Sequence, residues 1–131
     1  MRNLSPKESW VLLQQQPDTL LIDVRMEIES IYVGCPLGAL NIPWYEYPDL
    51  VPDAGQFVAA VARAAKAQLD HPLLLFCRNG MRSVDAAAVL DAAGFSQVFN
   101  MLHGFEGDLN DAFQRSCRNG WRFDGLPWVQ M

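Results

Sequence analysis

Cys77, Arg78, Asn79, Gly80, Met81 and Arg82 put a thiol, two guanidinium groups and a glycine into six consecutive positions. They follow the apolar run Leu73-Leu74-Leu75-Phe76 and precede a stretch, Ser83 to Ala93, of helical composition. A turn from strand to helix can aim successive backbone N–H groups into one concavity, to which the helix adds the positive end of its dipole. An anion is stabilised there, and the thiolate of Cys77 is the natural occupant. Arginines and a helix N-terminus can lower a thiol pKa from about 8.5 to roughly 3.5–7.5, making the sulfur nucleophilic at neutral pH. A buried, inert cysteine at a strand end is the plainer alternative. Two arginines and a glycine in the next five positions fit an apolar interior poorly. The expectation is a nucleophilic Cys77 in an anion-binding loop made by Arg78, Asn79, Gly80, Met81 and Arg82.

The hexapeptide has a near copy, Cys117-Arg118-Asn119-Gly120-Trp121-Arg122. Context separates the two. The second copy follows a polar segment and runs into a tail with Gly and Pro, so it lacks the strand and helix that would build a cradle. Its expected use is structural. His103 reads as a hydrogen-bonded turn residue, since transfer by a preformed thiolate requires no base. Cys35, Cys77 and Cys117 are an odd set without paired short spacings, which argues against a disulfide framework and a zinc site.

Several elements must carry these residues. Ser5-Pro6-Lys7-Glu8 reads as a capping box opening a helix that runs through Leu13. Leu20 to Val24 is a short apolar strand with Asp23 near its carboxyl end, and Ala39 to Ile42 is another, closed by Pro43. Trp44 to Pro52 is loop. Gln56 to Leu69 places Phe57, Val61, Ala65 and Leu69 at intervals of four, a helical stripe. Leu73 to Phe76 is apolar without alternation, as a central parallel strand covered on both faces should be. Ser83 to Ala93 is a helix with Gly94 as its left-handed cap, Gln97 to Leu102 a strand, Phe105 to Arg115 a last helix, and residues 120–128 an irregular aromatic tail. Strands alternating with helices imply a parallel sheet with helices on both faces, joined by right-handed crossovers, and ligands bind at the carboxyl ends of its strands. Asp23, Cys77 and the turn after Leu102 all lie at such ends.

A chain of 131 residues suits one domain, residues 1–131, with one real core. Half its residues are hydrophobic and only 19% are charged, so it is not of the disordered class. The net charge of −5 disfavours nucleic acid and anionic membranes as partners. Residues 1–30 have no basic start and apolar run like a leader, and no apolar stretch nears the roughly 18 residues of a membrane span, so a cytoplasmic protein is expected.

Asp23-Val24-Arg25 with Glu29, then Gly34, Pro36, Gly38-Ala39 and Asn41-Ile42-Pro43, resembles the first signature of the rhodanese family. Cys77 to Ser83 resembles that family's active-site loop, and Ala92-Ala93-Gly94-Phe95 with Val98 and Asn100 its closing segment. The resemblance spans nearly the whole chain. It implies an α/β, rhodanese-like three-layer fold, with a central, mostly parallel sheet and helices on both faces. It also implies a sulfurtransferase: Cys77 accepts a sulfane sulfur from a small donor such as thiosulfate and passes it to a thiophilic or protein acceptor. No metal or organic cofactor is implied. Asp23, Arg25 and Glu29 match positions that support the site, where a carboxylate pairing with a loop arginine would orient the cradle. In related phosphatases and arsenate reductases the Cys and Arg stand one residue further apart, leaving room for a tetrahedral oxyanion. Only four residues separate Cys77 from Arg82, and the tighter ring suits a persulfide. Relatives commonly have His where this chain has Cys35, so a catalytic duty for that residue is not implied. The alternative is a persulfide-carrying interaction module with little turnover of its own, which differs from the enzyme only in which acceptor reaches the site across a rim of Trp44, Tyr45, Tyr47, Trp121 and Trp128.

Overall fold

The computed structural model describes all 131 residues. In chain order the elements are β1 (Arg2–Leu4), α1 (Pro6–Gln15), β2 (Leu20–Asp23), α2 (Glu27–Tyr32), β3 (Cys35–Pro36), β4 (Leu40–Asn41), α3 (Ala54–Ala64), β5 (Leu73–Phe76), α4 (Met81–Ala92), β6 (Val98–Met101) and β7 (Trp128–Val129). Five strands form one sheet in the order β1-β6-β5-β2-β4. Every pairing in it is parallel. The fold is therefore the three-layer α/β arrangement expected from the strand and helix pattern.

Alternation along the strands divides the interior in two, because successive side chains in a strand point to opposite faces. Leu73 and Leu75 join Ile22, Phe57, Val61, Ala86, Ala87 and Leu90 on the face covered by α3 and α4. Leu74 and Phe76 join Leu21, Met101, Phe105 and Trp121 on the face covered by α1. All four residues of β5 are fully buried, which is why its sequence shows no polar alternation.

The capping box at Ser5 is formed by both reciprocal bonds, Glu8 N–H to Ser5 Oγ at 3.1 Å and Ser5 N–H to Glu8 Oε1 at 2.9 Å. α1 then continues two residues past Leu13. The helix expected over 56–69 covers Ala54–Ala64 instead, capped by Asp53, whose Oδ1 accepts from Gln56 N–H at 3.0 Å. It stops where Lys66 and Ala67 turn left-handed, with φ of 54° and 60°. Phe57, Val61 and Ala65 of its stripe are buried, but Leu69 lies beyond the helix and is half exposed.

The helix expected over Phe105 to Arg115 does not form. That segment is a series of turns, with φ of 61° at Gly104, 75° at Gly107, 59° at Phe113 and 59° at Ser116. The amides of Phe105 and Glu106 are donated to the carbonyls of Cys77 and Arg78, and the Asp108 amide, which a helix would direct to the carbonyl four residues back, goes to Asn119 Oδ1 instead. Four short elements went unmarked in the residue pattern: β1, α2, and the strands β3 and β7, whose antiparallel pairing ties Cys35 to Val129 and Pro36 to Trp128.

Candidate active site

Cys77 leaves the carboxyl end of the central strand β5 and is fully buried. The helix α4 already begins at Met81, so only Arg78, Asn79 and Gly80 make the turn. Gly80 occupies the N-cap with φ +96°, a conformation that favours glycine, and a Cβ there would meet the His103 backbone nitrogen at 3.2 Å. Its N–H donates to Cys77 Sγ at 3.1 Å, and the Ser83 hydroxyl donates to the same sulfur at 3.4 Å. Asn79 Oδ1 accepts from Met81 N–H at 3.2 Å and so closes the start of the helix. The sulfur thus sits at the N-terminus of a twelve-residue helix with two donors aimed at it. Such a seat stabilises negative charge on sulfur.

Arg82 is held by α2, the helix that follows the neighbouring strand β2. Its Nη1 and Nη2 donate to Glu29 Oε2 and Oε1 at 2.7 and 2.9 Å, and its guanidinium lies 5.5 Å from the Tyr45 ring centroid. Glu29 in turn accepts from Met26 N–H at 3.0 Å, which is the cap of α2. Burial pushes the Glu29 carboxyl up, but the hydrogen bonds and charge of Arg82 outweigh it and hold the carboxyl below its ordinary range. Burial likewise lowers Arg82, and the Glu29 bonds and charge, with smaller contributions from Cys77 and Tyr45, raise it above its ordinary value. Arg78 and Met81 are exposed on the rim of the loop.

Asp23 and Arg25 do not reach the loop arginines. They are fully buried and pair with each other, Arg25 Nε to Asp23 Oδ1 at 2.8 Å and Nη2 to Oδ2 at 2.7 Å. Nη2 also donates to the Gly34 carbonyl at 2.7 Å. The guanidinium lies between the rings of Phe76 and Phe105, at 5.3 and 5.0 Å, where cation–π attraction offsets part of its desolvation. This clamp fixes the end of β2 beside β5. Of the three supporting residues, only Glu29 contacts the loop.

Ser83 is the site residue that residue types alone did not single out, because a serine at a helix start reads as ordinary helix chemistry. Cys35 is half-buried in β3, and Cys117 is exposed. The second hexapeptide acts as a brace. Asn119 Oδ1 accepts from Asp108 N–H at 2.8 Å, Asn119 Nδ2 donates to Asp108 Oδ2 at 3.0 Å, and a Cβ on Gly107 would overlap the Asn119 carbonyl. Glu106 and Gly107, held in this way, donate to the Arg78 carbonyl at 2.9 and 3.2 Å. Trp44 and Trp121 are buried and belong to the two cores, so the expected aromatic rim reduces to Tyr45, Tyr47 and Trp128, of which Tyr47 is the most exposed.

A family model described as Rhodanese-like domain matches residues 5–111. The chain belongs to the rhodanese-like domain family. Its structure is similar to the crystal structure of Rv0390 from M. tuberculosis, at 32% identity and a TM-score of 0.85, covering 100% of this chain and 98% of that one. It is also similar to the solution structure of the polysulfide-sulfur transferase homodimer from Wolinella succinogenes, at 25% identity and a TM-score of 0.66, covering 100% of this chain and 80% of that one. In sequence it is 27% identical over 124 residues to the thiosulfate sulfurtransferase GlpE of Actinobacillus succinogenes, with 95% of this chain and 86% of the relative covered. The rhodanese match ends before the second hexapeptide, so the brace at 117–122 lies outside the matched region. No helix is long and apolar enough to cross a membrane.

Proposed function

We propose that residues 1–131 form a single rhodanese domain that acts as a thiosulfate sulfurtransferase through a persulfide on Cys77. The observation that carries this reading is the seat of Cys77 Sγ, which accepts from Gly80 N–H at 3.1 Å and Ser83 Oγ at 3.4 Å at the N-terminus of α4. In the loading step the thiolate attacks the outer sulfur of thiosulfate. The new Sγ–S bond forms as the S–S bond of the donor breaks, and sulfite leaves with the electron pair. In the discharge step a nucleophile, cyanide or a thiolate, attacks the outer sulfur of the persulfide, and the Sγ–S electron pair returns to Cys77. Protons and electrons balance in both steps without a metal or cofactor. Exposed Arg78 offsets the charge of the incoming dianion, and Arg82 is a positioning residue because Glu29 occupies both of its terminal nitrogens. That engagement also weighs against a phosphatase, which needs the loop arginine on a phosphoryl oxygen.

Parallel assays of thiocyanate formation from thiosulfate and cyanide, and of aryl phosphate hydrolysis, test the proposal. Sulfur transfer without appreciable phosphatase activity is expected. Robust phosphatase activity with no transfer from any sulfane donor would overturn it.

A further inference from the structure

A cavity of about 910 Å³ lies away from the cysteine loop, in a groove between the Trp44–Pro52 loop and α3. Tyr45 joins the two, since it lines the groove and its ring lies against the guanidinium of Arg82 in the loop. A second cavity of about 550 Å³ shares Glu46 and Tyr47 with the first and adds Met26, Glu27 and Ile28 from the start of α2, two residues from the Glu29 that holds Arg82. The two cavities form one surface beside the candidate active site. Its charge is one-sided. Glu27, Glu46, Asp49 and Asp53 are exposed along it, against a single exposed cation, Arg63. Its apolar rim is large as well: Tyr47 is 76% exposed, Val51 71% and Ile28 57%. An exposed apolar surface of this kind, flanked by charge mainly of one sign, marks an interaction site.

From this charge complementarity and from its continuity with the loop, we infer that the groove docks a protein acceptor segment that is cationic and apolar, with the accepting cysteine presented to the Cys77 loop. The inference rests on the sulfurtransferase reading and names the acceptor class. In the step it serves, the acceptor thiolate attacks the outer sulfur of the Cys77 persulfide. One S–S bond forms on the acceptor, the Sγ–S bond breaks, and Cys77 recovers its electron pair. A small thiol is too small to use the groove, and nucleic acid would be repelled by the four carboxylates.

Two measurements test it. In the first, fluorescence anisotropy follows binding of a labelled synthetic peptide in which lysines and leucines flank a serine, with a glutamate-for-lysine peptide as control; no sulfur chemistry is involved. Binding at least about tenfold tighter for the cationic peptide at low salt is expected, with the advantage shrinking as salt rises. It should be lost in the double variant Glu46→Gln/Asp49→Asn. Equal binding of the two peptides, or no effect of the double variant, would overturn the inference whether or not sulfur is transferred. In the second, thiosulfate-treated protein is discharged by the cysteine forms of the same peptides, and each rate is divided by the cyanide rate of the same preparation. The cationic peptide should show the larger ratio, and the double variant should reduce it. Equal ratios would sink the docking role while leaving the sulfurtransferase intact, and the absence of any cyanide turnover would count against the sulfurtransferase instead.

Discussion

Cys77 and Cys117 open hexapeptides that differ only at the fifth position, yet each residue of the pair does different work. Asn79 closes the turn into α4, whereas Asn119 grips Asp108. Met81 lies exposed on the rim, whereas Trp121 is buried in the core beneath α1. Arg82 pairs with Glu29 of α2, whereas Arg122 donates to Ser116 Oγ at 2.9 Å and lies 3.8 Å from Glu106. The two thiols should therefore part company by reagent. N-ethylmaleimide should modify the exposed Cys117 first, because access limits that reaction, while thiosulfate should add one sulfur atom to Cys77 alone. Cys77→Ser should abolish transfer, and Cys117→Ser should leave turnover within about twofold, as surface changes away from a site usually do. Peptide mapping by mass spectrometry and steady-state rates read both outcomes. Sulfur found on Cys117 would reverse the assignment.

At the scale of elements, the loop is held between neighbours that come from distant parts of the chain. α2 reaches it through Glu29 and Arg82, the turn after β6 reaches it through Phe105 N–H to the Cys77 carbonyl at 2.9 Å, and the buried Asp23–Arg25 clamp fixes β2 alongside. Glu29→Gln should loosen the α2 contact. It replaces two charge-assisted hydrogen bonds by weaker ones and should cost about 1.5–3 kcal/mol at neutral pH. The pH dependence has a definite sign. A carboxyl held below its unfolded value contributes stability that is present above that value and is lost as pH falls through the folded one. The protein should thus lose stability below the ordinary glutamate value of about 4.3, and Glu29→Gln should lose less over the same interval. Urea unfolding as a function of pH measures this. Parallel curves for the two proteins would show that the pair contributes nothing.

The whole molecule depends on a tail that lies beyond the rhodanese match. β7 pairs with β3, the indole N–H of Trp121 donates to the Pro127 carbonyl at 2.9 Å, and the Trp121 backbone N–H donates to the Gly104 carbonyl, also at 2.9 Å. Trp121 is 1% exposed and meets Trp10 of α1 edge-on at 6.0 Å. Trp121→Ala should cost about 3–5 kcal/mol, the range for removing a large buried aromatic. Because the tail also braces residues 104–107 against the Cys77 loop, sulfur transfer should fall with it even at temperatures where the protein remains folded. Thermal unfolding and transfer rates on the same variant check both parts. A near-native unfolding temperature would mean that the tail covers the core without holding it.

Local physics wrote the central features into the chain. Four consecutive leucine and phenylalanine side chains read as a buried parallel strand because both faces of β5 are covered. The Ser5 box, the Gly94 turn at φ +101° and the thiol with its glycine and arginines are likewise set by nearest neighbours. What sequence could not fix were choices among partners far apart in the chain. Residues 105–115 have no intrinsic bar to helix, but Gly107 is left-handed and Asp108 is held by Asn119, a partner eleven residues further on that takes the amide a helix would need. The roles of Asp23, Arg25 and Glu29 were open for the same reason. All three are charged residues near one strand end, and only the packing of Phe76 and Phe105 around one guanidinium, and of Tyr45 against another, decided which carboxylate meets which arginine.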